Sequence, residues 1–302
     1  MMPGGRQAYR QKSFLTNEPI VFSIANSVTL KPGVKSAYPG LQGSLNSYQY
    51  SAGTSNAAAL ATRRLGFLYE TLQDLKNADD KNMLAASSDA VLLKAMLCHG
   101  AEHNEAITKY LEKQLKTDHN KRTFRSVVNQ FVGFGHVNEG RIHGCKQSQA
   151  TLLGTGTITE GECLGFAVPL PACLAASTEQ RRLVVTIAWL SPVNARHNDY
   201  RGAQLWGEPE KKKLNLGPNL NYHHHLKHGT VCHDVFEGEK AAAFMSGDEL
   251  KINVYCKLRA GLNRISVPFA IIATLDSPNL NLPIYSEVKQ ELEVKQSQST
   301  DA

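Results

Sequence analysis

The chain has 302 residues, 42% of them hydrophobic and 20% charged, a composition typical of a globular protein long enough for two domains. The formal net charge of +6 is small, and no basic block alternates with aromatic residues, so we expect no nucleic-acid partner. No segment approaches the roughly 18 consecutive apolar residues of a membrane-spanning helix, so we also expect no membrane partner.

Six cysteines stand at positions 98, 145, 163, 173, 232 and 256, and none of them belongs to a Cys-x-x-Cys pair. Several lie in apolar runs, a pattern typical of reduced, buried thiols rather than of a disulfide framework. The N-terminal "MMPGGRQAYRQKSF" is positively charged, but no apolar segment follows it, so it is unlike a secretory signal. Both observations predict a cytoplasmic protein.

The first half of the chain has strand patterns followed by helix patterns. Residues 18–30 are rich in β-branched side chains and predict one or two strands. Apolar residues spaced close to 3.6 apart predict a helix over residues 56–75. Further helices are predicted over residues 85–98, ending at Gly100, and over the charged segment 101–116.

The second half has strand patterns. Residues 181–190, 249–258 and 265–275 are β-branched runs bounded by Gly, Pro and Asn, and each predicts a strand. The segment 154–161, "GTGTITEG", lacks the Gly-Lys-Ser/Thr ending of a phosphate-binding loop and predicts a hairpin turn. The last dozen residues are polar, and we expect a frayed end.

Two domains of different architecture follow from these patterns. Residues 1–148 combine strands with helices and predict an α/β domain. Residues 149–295 predict a mostly antiparallel β-sandwich, and residues 296–302 a frayed tail.

The segment "GTSNAAALAT", residues 53–62, places hydroxyl side chains where the helix over 56–75 begins. Either Thr54 or Ser55 caps the helix by accepting a backbone hydrogen bond, or Ser55 is a nucleophile. In the second case the backbone N–H of Ser55 would help to bind the oxyanion that forms on attack at a carbonyl. The small alanines that follow leave room above the hydroxyl.

This segment resembles the Gly-Thr-Ser-x-Ala-Ala signature around the catalytic serine of subtilisin-like serine proteases (subtilases, peptidase S8 type). Three further segments resemble that family in the same order: "LKPGVKSAYPG" before the serine, and "DAVLLKAMLCHGA" and "GFGHVNEGRI" after it. The last is similar to the Gly-Tyr-Gly-x-Val-Asn segment that closes the catalytic domain. The resemblance covers about residues 20–148, while the β domain resembles, more loosely, a domain appended in some bacterial subtilases.

The resemblance implies the C-terminal portion of a parallel-sheet subtilisin-like domain and the activity of a serine endopeptidase. Ser55 would be the acylating nucleophile, the substrate a protein or peptide, and no cofactor would be required. One departure is Ala59, which stands where the family usually has proline. Alanine is tolerated at an early helix position, so the departure weakens the match only slightly.

The triad of subtilases runs Asp, His, Ser along the chain, so both partners of Ser55 should precede it. Residues 1–54 contain neither aspartate nor histidine. One explanation is that the chain is part of a protease whose missing N-terminal part, a partner, carries the base. The alternative is a non-catalytic binding or regulatory protein that retains the fold remnant and the β-sandwich. A triad rebuilt with His99 or His136 is disfavoured because neither has an obvious orienting carboxylate.

Five of the eleven histidines lie within residues 221–236, together with Cys232 and Asp234. Imidazole and thiolate are zinc ligands, but the spacing matches no standard zinc-binding motif. We therefore expect no metal here but a polar loop leading into a strand, on which Cys232 and His233 lie on opposite faces.

Overall fold

The structure, a computed structural model, describes residues 2, 4–5, 9–11, 22–24, 33–78, 84, 88–121, 124–138, 140–143, 146–175, 177–218, 229–245, 247–277 and 282–300. Its contacts divide the chain into two compact units, Met1–Phe67 and Leu68–Ala302. The domain boundaries predicted at residues 148 and 295 stay predictions.

The described part of the first unit consists of two strand pairs and the beginning of a helix. In chain order these are β1 (Tyr9–Gln11), β2 (Phe22–Ile24), β3 (Val34–Ala37), β4 (Tyr48–Ser51) and α1 (Thr54–Ala78). Strands β1 and β2 pair antiparallel, as do β3 and β4. Helix α1 confirms the helix predicted from residue 56 onward, because the alanines and leucines of this segment favour a helical backbone.

The second unit begins, after the rest of α1, with short elements. They are α2 (Asp89–His99), β5 (Ala101–Glu102), α3 (Glu105–Leu115), α4 (Phe124–Val132), β6 (His136–Val137) and α5 (Gly140–His143). Helix α2 is followed by Gly100, as predicted. Helix α3 begins later than predicted because Asn104 caps it: its Oδ1 accepts hydrogen bonds from the N–H groups of Ala106 (3.0 Å) and Ile107 (3.2 Å). The two residues of β5 pair with β6 instead.

Two antiparallel sheets follow. Their strands are β7 (Gln149–Ile158), β8 (Cys163–Pro169), β9 (Arg181–Trp189), β10 (Ala203–Pro209), β11 (Val231–Gly238), β12 (Glu249–Leu258) and β13 (Val267–Asp276). One sheet has the order β11-β9-β13-β7 and the other β10-β12-β8. Strands β9, β12 and β13 confirm the three predicted β-branched runs. Every strand pairing within the described residues is antiparallel, so the predicted parallel sheet is not among them.

The two sheets share one hydrophobic core. Alternate residues of β9 and β12 enter it, among them Ile187 and Ile252, both fully buried. Trp189 is also fully buried, and its indole N–H donates to the carbonyl of Ala203 (3.1 Å). Trp189 is therefore a core residue, whereas the ring of Trp206 on β10 stacks on Tyr255 of β12 with the centroids 5.6 Å apart.

Helix α2 covers the outer face of the four-stranded sheet, where it packs on β9 and β13. Its Lys94 donates from Nζ to the carbonyl of Trp189 (3.0 Å) and to Oγ1 of Thr230 (2.5 Å). Burial is the main cause that lowers the pKa of this amine. The apolar run of α2 is thus explained by packing on the sheet.

Two segments differ from the sequence-based expectations. Residues 154–158 belong to strand β7, so the predicted hairpin turn is confined to the residues that follow Ile158. The C-terminal segment forms helix α6 (Ile284–Thr300), which includes residues expected to be frayed. Helix α6 is anchored because Ile284, Val288 and Leu292, spaced four apart, pack against the core.

The five described cysteines are free thiols. Cys232 and Cys256 are buried, as predicted, but Cys163 is exposed on the first position of β8, and Cys145 lies outside the described residues. In the described ranges, no helix is both long and apolar enough to cross a bilayer.

Candidate functional site

Ser55 lies in the first turn of helix α1, directly after a strand. Strand β4 ends at Ser51, Ala52 and Gly53 form the connection, and the helix begins at Thr54. The Ser55 side chain is exposed. Its hydroxyl therefore lies at the start of the helix and is open to solvent.

Asn56 anchors this connection. Its Nδ2 donates to the carbonyl of Ser51 (2.9 Å) and, more weakly, to the carbonyl of Gly4 (3.3 Å). Oγ of Ser51 in turn lies 3.0 Å from Oγ of Ser36 on the neighbouring strand β3. Asn56 therefore ties the helix start directly to β4 and to Gly4, and through Ser51 to β3, although nothing in the sequence marked it as functional.

Gly4 packs closely against the connection before Ser55. The Gly53 N–H donates to the carbonyl of Gly4 (2.9 Å). A Cβ on Gly4 would lie 2.5 Å from the carbonyl oxygen of Gly53, so a larger residue would force the two segments apart. The loop before Ser55 is thus held by a backbone hydrogen bond and close packing at Gly4.

The electrostatic environment of Ser55 is that of a helix start. The first turn of a helix leaves N–H groups without intrahelical acceptors and carries partial positive charge. Among the described residues, the Ser55 N–H has no acceptor and its Oγ forms no hydrogen bond. Both groups are therefore available to a carbonyl that approaches the helix start.

The capping alternative is weakened by the helix boundary. An N-cap precedes the first helical residue, and this position belongs to Gly53, since α1 begins at Thr54. Within the described residues, neither Thr54 nor Ser55 caps the helix through its side chain, and the side-chain bonds at this end belong to Asn56. Ser55 is thus free for another role.

We expect Asn56→Ala to loosen this site without unfolding the protein. Removing the amide leaves the carbonyls of Ser51 and Gly4 without its N–H donors, which costs about 1–2 kcal/mol locally. Amide hydrogen exchange should then speed up about tenfold at the Gly53 N–H, which is bonded to the carbonyl of Gly4 in the same connection.

Thr62→Ala is the matched control, because the Thr62 hydroxyl only bonds back to the carbonyl of Ala58 within α1. Exchange there should change less than about twofold. Equal acceleration in both variants would contradict the anchoring role of Asn56.

His99, considered above as a substitute base, is occupied by structural contacts in the second unit. Its Nδ1 lies 2.8 Å from Oγ1 of Thr186, and its Nε2 lies 2.7 Å from Oγ1 of Thr274. The ring is 5% exposed. Burial, reinforced by the positive charges of Arg141 and Arg182, lowers the pKa of His99 to about 3. Such an imidazole is a poor general base near neutral pH.

Three other histidines occupy different environments. His136 is exposed on β6, and Nε2 of His103 lies 2.9 Å from the carbonyl of Gly133. His233 is buried, and its Nδ1 lies 2.8 Å from Oγ1 of Thr186, on the face of β11 opposite to the core residue Cys232. The predicted alternation of Cys232 and His233 is confirmed.

The rest of the histidine-rich segment, residues 221–228, lies outside the described residues. In the part of the chain that the structure describes, no group of three or more His, Cys, Asp or Glu side chains is arranged to hold a metal ion. On β11, the thiol of Cys232 donates a hydrogen bond to Oδ2 of Asp234 (3.1 Å).

Taken together, the described elements define an antiparallel β-sandwich with a helix on one outer face, preceded by a unit that presents an exposed serine at a helix start. Comparison with models of known protein families and with curated proteins finds no match to this chain.

Proposed function

We propose that this chain is the serine-bearing part of a subtilisin-like serine endopeptidase, in which Ser55 forms the acyl-enzyme with a protein or peptide substrate. The observation that carries the proposal is the exposed Ser55 in the first turn of α1, immediately after β4. The proposed family fold is the C-terminal portion of a parallel-sheet domain followed by the β-sandwich, and the proposed location is the cytoplasm. No cofactor takes part in the proposed reaction.

The proposed chemistry uses two groups of one residue. Oγ of Ser55 attacks the scissile carbonyl, and the negative charge moves to the carbonyl oxygen. The N–H of Ser55, at the positive end of the helix, then donates a hydrogen bond to that oxyanion. A serine hydroxyl needs a base to accept its proton, so the position of Ser55 is not sufficient for catalysis.

The base is proposed to come from a polypeptide outside these 302 residues. Residues 1–54 contain no histidine and no aspartate, and His99 keeps both ring nitrogens on threonine hydroxyls. The partner in this proposal is the remaining, Asp- and His-bearing part of the same protease. Neither a nucleic-acid nor a membrane partner belongs to the proposal.

Fluorophosphonate labelling of the purified chain tests the proposal. A lone serine reacts slowly, so we expect weak labelling that requires Ser55 and that rises severalfold when free imidazole supplies a base. Ser55→Ala should abolish the imidazole-dependent signal. Thr54→Ala is the matched control, because it removes the neighbouring exposed hydroxyl and should keep the signal. Labelling that persists in Ser55→Ala would exclude the proposed nucleophile.

The alternative function is a non-catalytic binding or regulatory protein. It is favoured by one observation: His99 is buried, and both of its ring nitrogens are hydrogen-bonded to threonine hydroxyls. His99 is therefore not available as the general base for a serine nucleophile. A folded chain that shows no Ser55-dependent labelling, with or without imidazole, would support this alternative over the protease.

A further inference from the structure

One end of the β-sandwich carries a concentration of arginines. Two segments form it, residues 191–202 between β9 and β10 and residues 259–264 after β12, and we call them the arginine tip. Together they contain four arginines, one aspartate and no lysine or glutamate: Arg196, Arg201, Arg259, Arg264 and Asp199. The excess of three positive charges is half the formal net charge of the whole chain, which is +6.

Hydrogen bonds join the two segments into one surface. The Arg259 N–H donates to the carbonyl of Gly202 (2.8 Å), and Nδ2 of Asn194 donates to the carbonyl of Ala260 (2.9 Å). A Cβ on Gly202 would lie 2.1 Å from Cδ1 of Leu262, so the segments are also in direct van der Waals contact.

The longer segment is held in shape by bonds of its own. The Asn194 N–H donates to the carbonyl of Tyr200 (2.7 Å), and the Gly202 N–H donates to the carbonyl of Pro192 (2.7 Å). Oδ1 of Asn194 accepts from the Arg196 N–H (3.1 Å). A preorganised surface loses little conformational entropy when a ligand binds.

The guanidinium groups of the tip have no acidic partner among the described residues. Arg196 and Arg264 are exposed, Arg201 lies 5.7 Å from the centre of the Tyr200 ring, and Arg259 bonds to Oε1 of Gln204. The Nε of Arg259 is buried without a hydrogen-bond partner in that part of the structure. The exposed guanidinium groups of Arg196 and Arg264 are therefore not held in ion pairs within the described ranges.

Two carboxylates on the neighbouring β7–β8 turn are already engaged. Oε1 of Glu160 accepts from the N–H of Leu258 (3.1 Å), and Oε2 of Glu162 accepts from the N–H of Thr159 (2.7 Å). Each keeps its negative charge and so lowers the positive excess at this end of the sandwich, but neither forms an ion pair with an arginine of the tip among the described residues.

Exposed apolar side chains lie beside the arginines. Val193 is 63% exposed, Tyr200 51% and Leu190 46%. Arginine and tyrosine are enriched in protein interfaces, whereas lysine is depleted, and the tip follows this composition. A guanidinium group can also form a bidentate pair of hydrogen bonds with a carboxylate, which an ammonium group cannot do.

We propose that the arginine tip binds an acidic peptide segment of a partner protein. Glutamate or aspartate side chains of the segment would pair with Arg196 and Arg264, and its apolar atoms would lie on Val193 and Tyr200. The proposal does not depend on Ser55, so the site would exist in either of the two functions considered above.

Fluorescence anisotropy with a fluorescein-labelled octaglutamate peptide, at low ionic strength, tests the proposal on the full chain. We expect saturable binding that weakens at least tenfold in Arg196→Gln/Arg264→Gln, because both exposed guanidinium groups are removed. Octaglutamine should not bind. Since both arginines are exposed, the variant should melt within about 2 °C of the parent.

The matched control is Lys211→Gln/Lys212→Gln, which removes two charges at the opposite end of the sandwich, beyond the end of β10. Binding should change less than about twofold in this variant. An equal loss in both double variants would overturn the proposal, because binding would then follow net charge alone.

Two further probes separate the possible anions. If phosphatidylserine vesicles or an oligothymidylate bind more tightly than octaglutamate, and lose binding in Arg196→Gln/Arg264→Gln, the tip recognises lipid or nucleic acid and the peptide proposal is overturned. If neither shows this dependence while octaglutamate does, the acidic peptide is supported. No binding of octaglutamate by the parent chain would also overturn the proposal.

Discussion

Lowering the pH from 7.5 to 5.0 is expected to reduce the free energy of unfolding by about 2 kcal/mol through one buried side chain, that of His99. The pKa of His99 is lowered to about 3 in the folded protein, mainly by burial and further by Arg141 and Arg182. The unfolded chain therefore takes up a proton near pH 6.5 that the folded chain does not accept. The neutral His99 contributes its full stabilisation of the folded state above pH 6.5. This contribution, about 5 kcal/mol in total, is lost as the pH falls from 6.5 towards 3.

The geometry explains why the folded protein resists protonation. His99 contacts Thr186 through Nδ1 and Thr274 through Nε2. A neutral imidazole offers one donor and one acceptor to these two hydroxyls, whereas the cation offers two donors. Thr186 and Thr274 bond further to His233 and Thr151, so the network would have to rearrange.

Urea unfolding at pH 7.5, 6.0 and 5.0 measures this effect. His99→Gln keeps a donor and an acceptor but does not titrate, so its stability should depend less on pH by about 2 kcal/mol over this range. His136→Gln replaces an exposed histidine on β6 and is the matched control for the substitution. Parallel curves for the parent and His99→Gln would exclude His99 as the source.

The second large effect is expected at Gly135, in the segment "GFGHV". Gly135 has φ of +104°, a region open to glycine, and a Cβ there would lie 2.0 Å from the carbonyl oxygen of Glu102. Gly135→Ala must therefore push β6 away from β5, and we expect a loss of about 4 kcal/mol from backbone strain and overpacking together. Urea unfolding at neutral pH measures it.

Gly133 provides the matched control within the same segment. Its φ is +59°, and a Cβ would meet no atom within 4 Å. Gly133→Ala should therefore lower the free energy of unfolding by only about 1 kcal/mol, because alanine is less stable than glycine in the left-handed conformation. If the two variants lost the same stability, the close approach of Gly135 to Glu102 would not be the cause.

The contrast between the two glycines also bears on the resemblance of this segment to the end of a subtilase catalytic domain. Whatever the family, the close approach of β6 to β5 by itself requires glycine at Gly135. The presence of glycine at this position is therefore explained by the local backbone geometry and is not evidence for a particular activity.

The sequence by itself determined the elements whose patterns are local. Strands β9 and β12 were predictable because β-branched and apolar residues alternate or run continuously between turn residues. Helix α1 was predictable from its alanines and leucines, and with it the place of Ser55 near the helix start. The end of α2 followed from Gly100.

Only the tertiary structure decided which distant residues meet. His99 and Thr274 are 175 positions apart, Asn194 and Ala260 are 66 apart, and Asn56 and Gly4 are 52 apart, yet each pair shares a hydrogen bond. No local pattern encodes such contacts, because they arise from the order of strands in the sheets and from loops that meet at one end. The neutral state of His99 and the arginine tip are therefore properties of the fold, while Ser55 at the helix start is a property of the sequence around it.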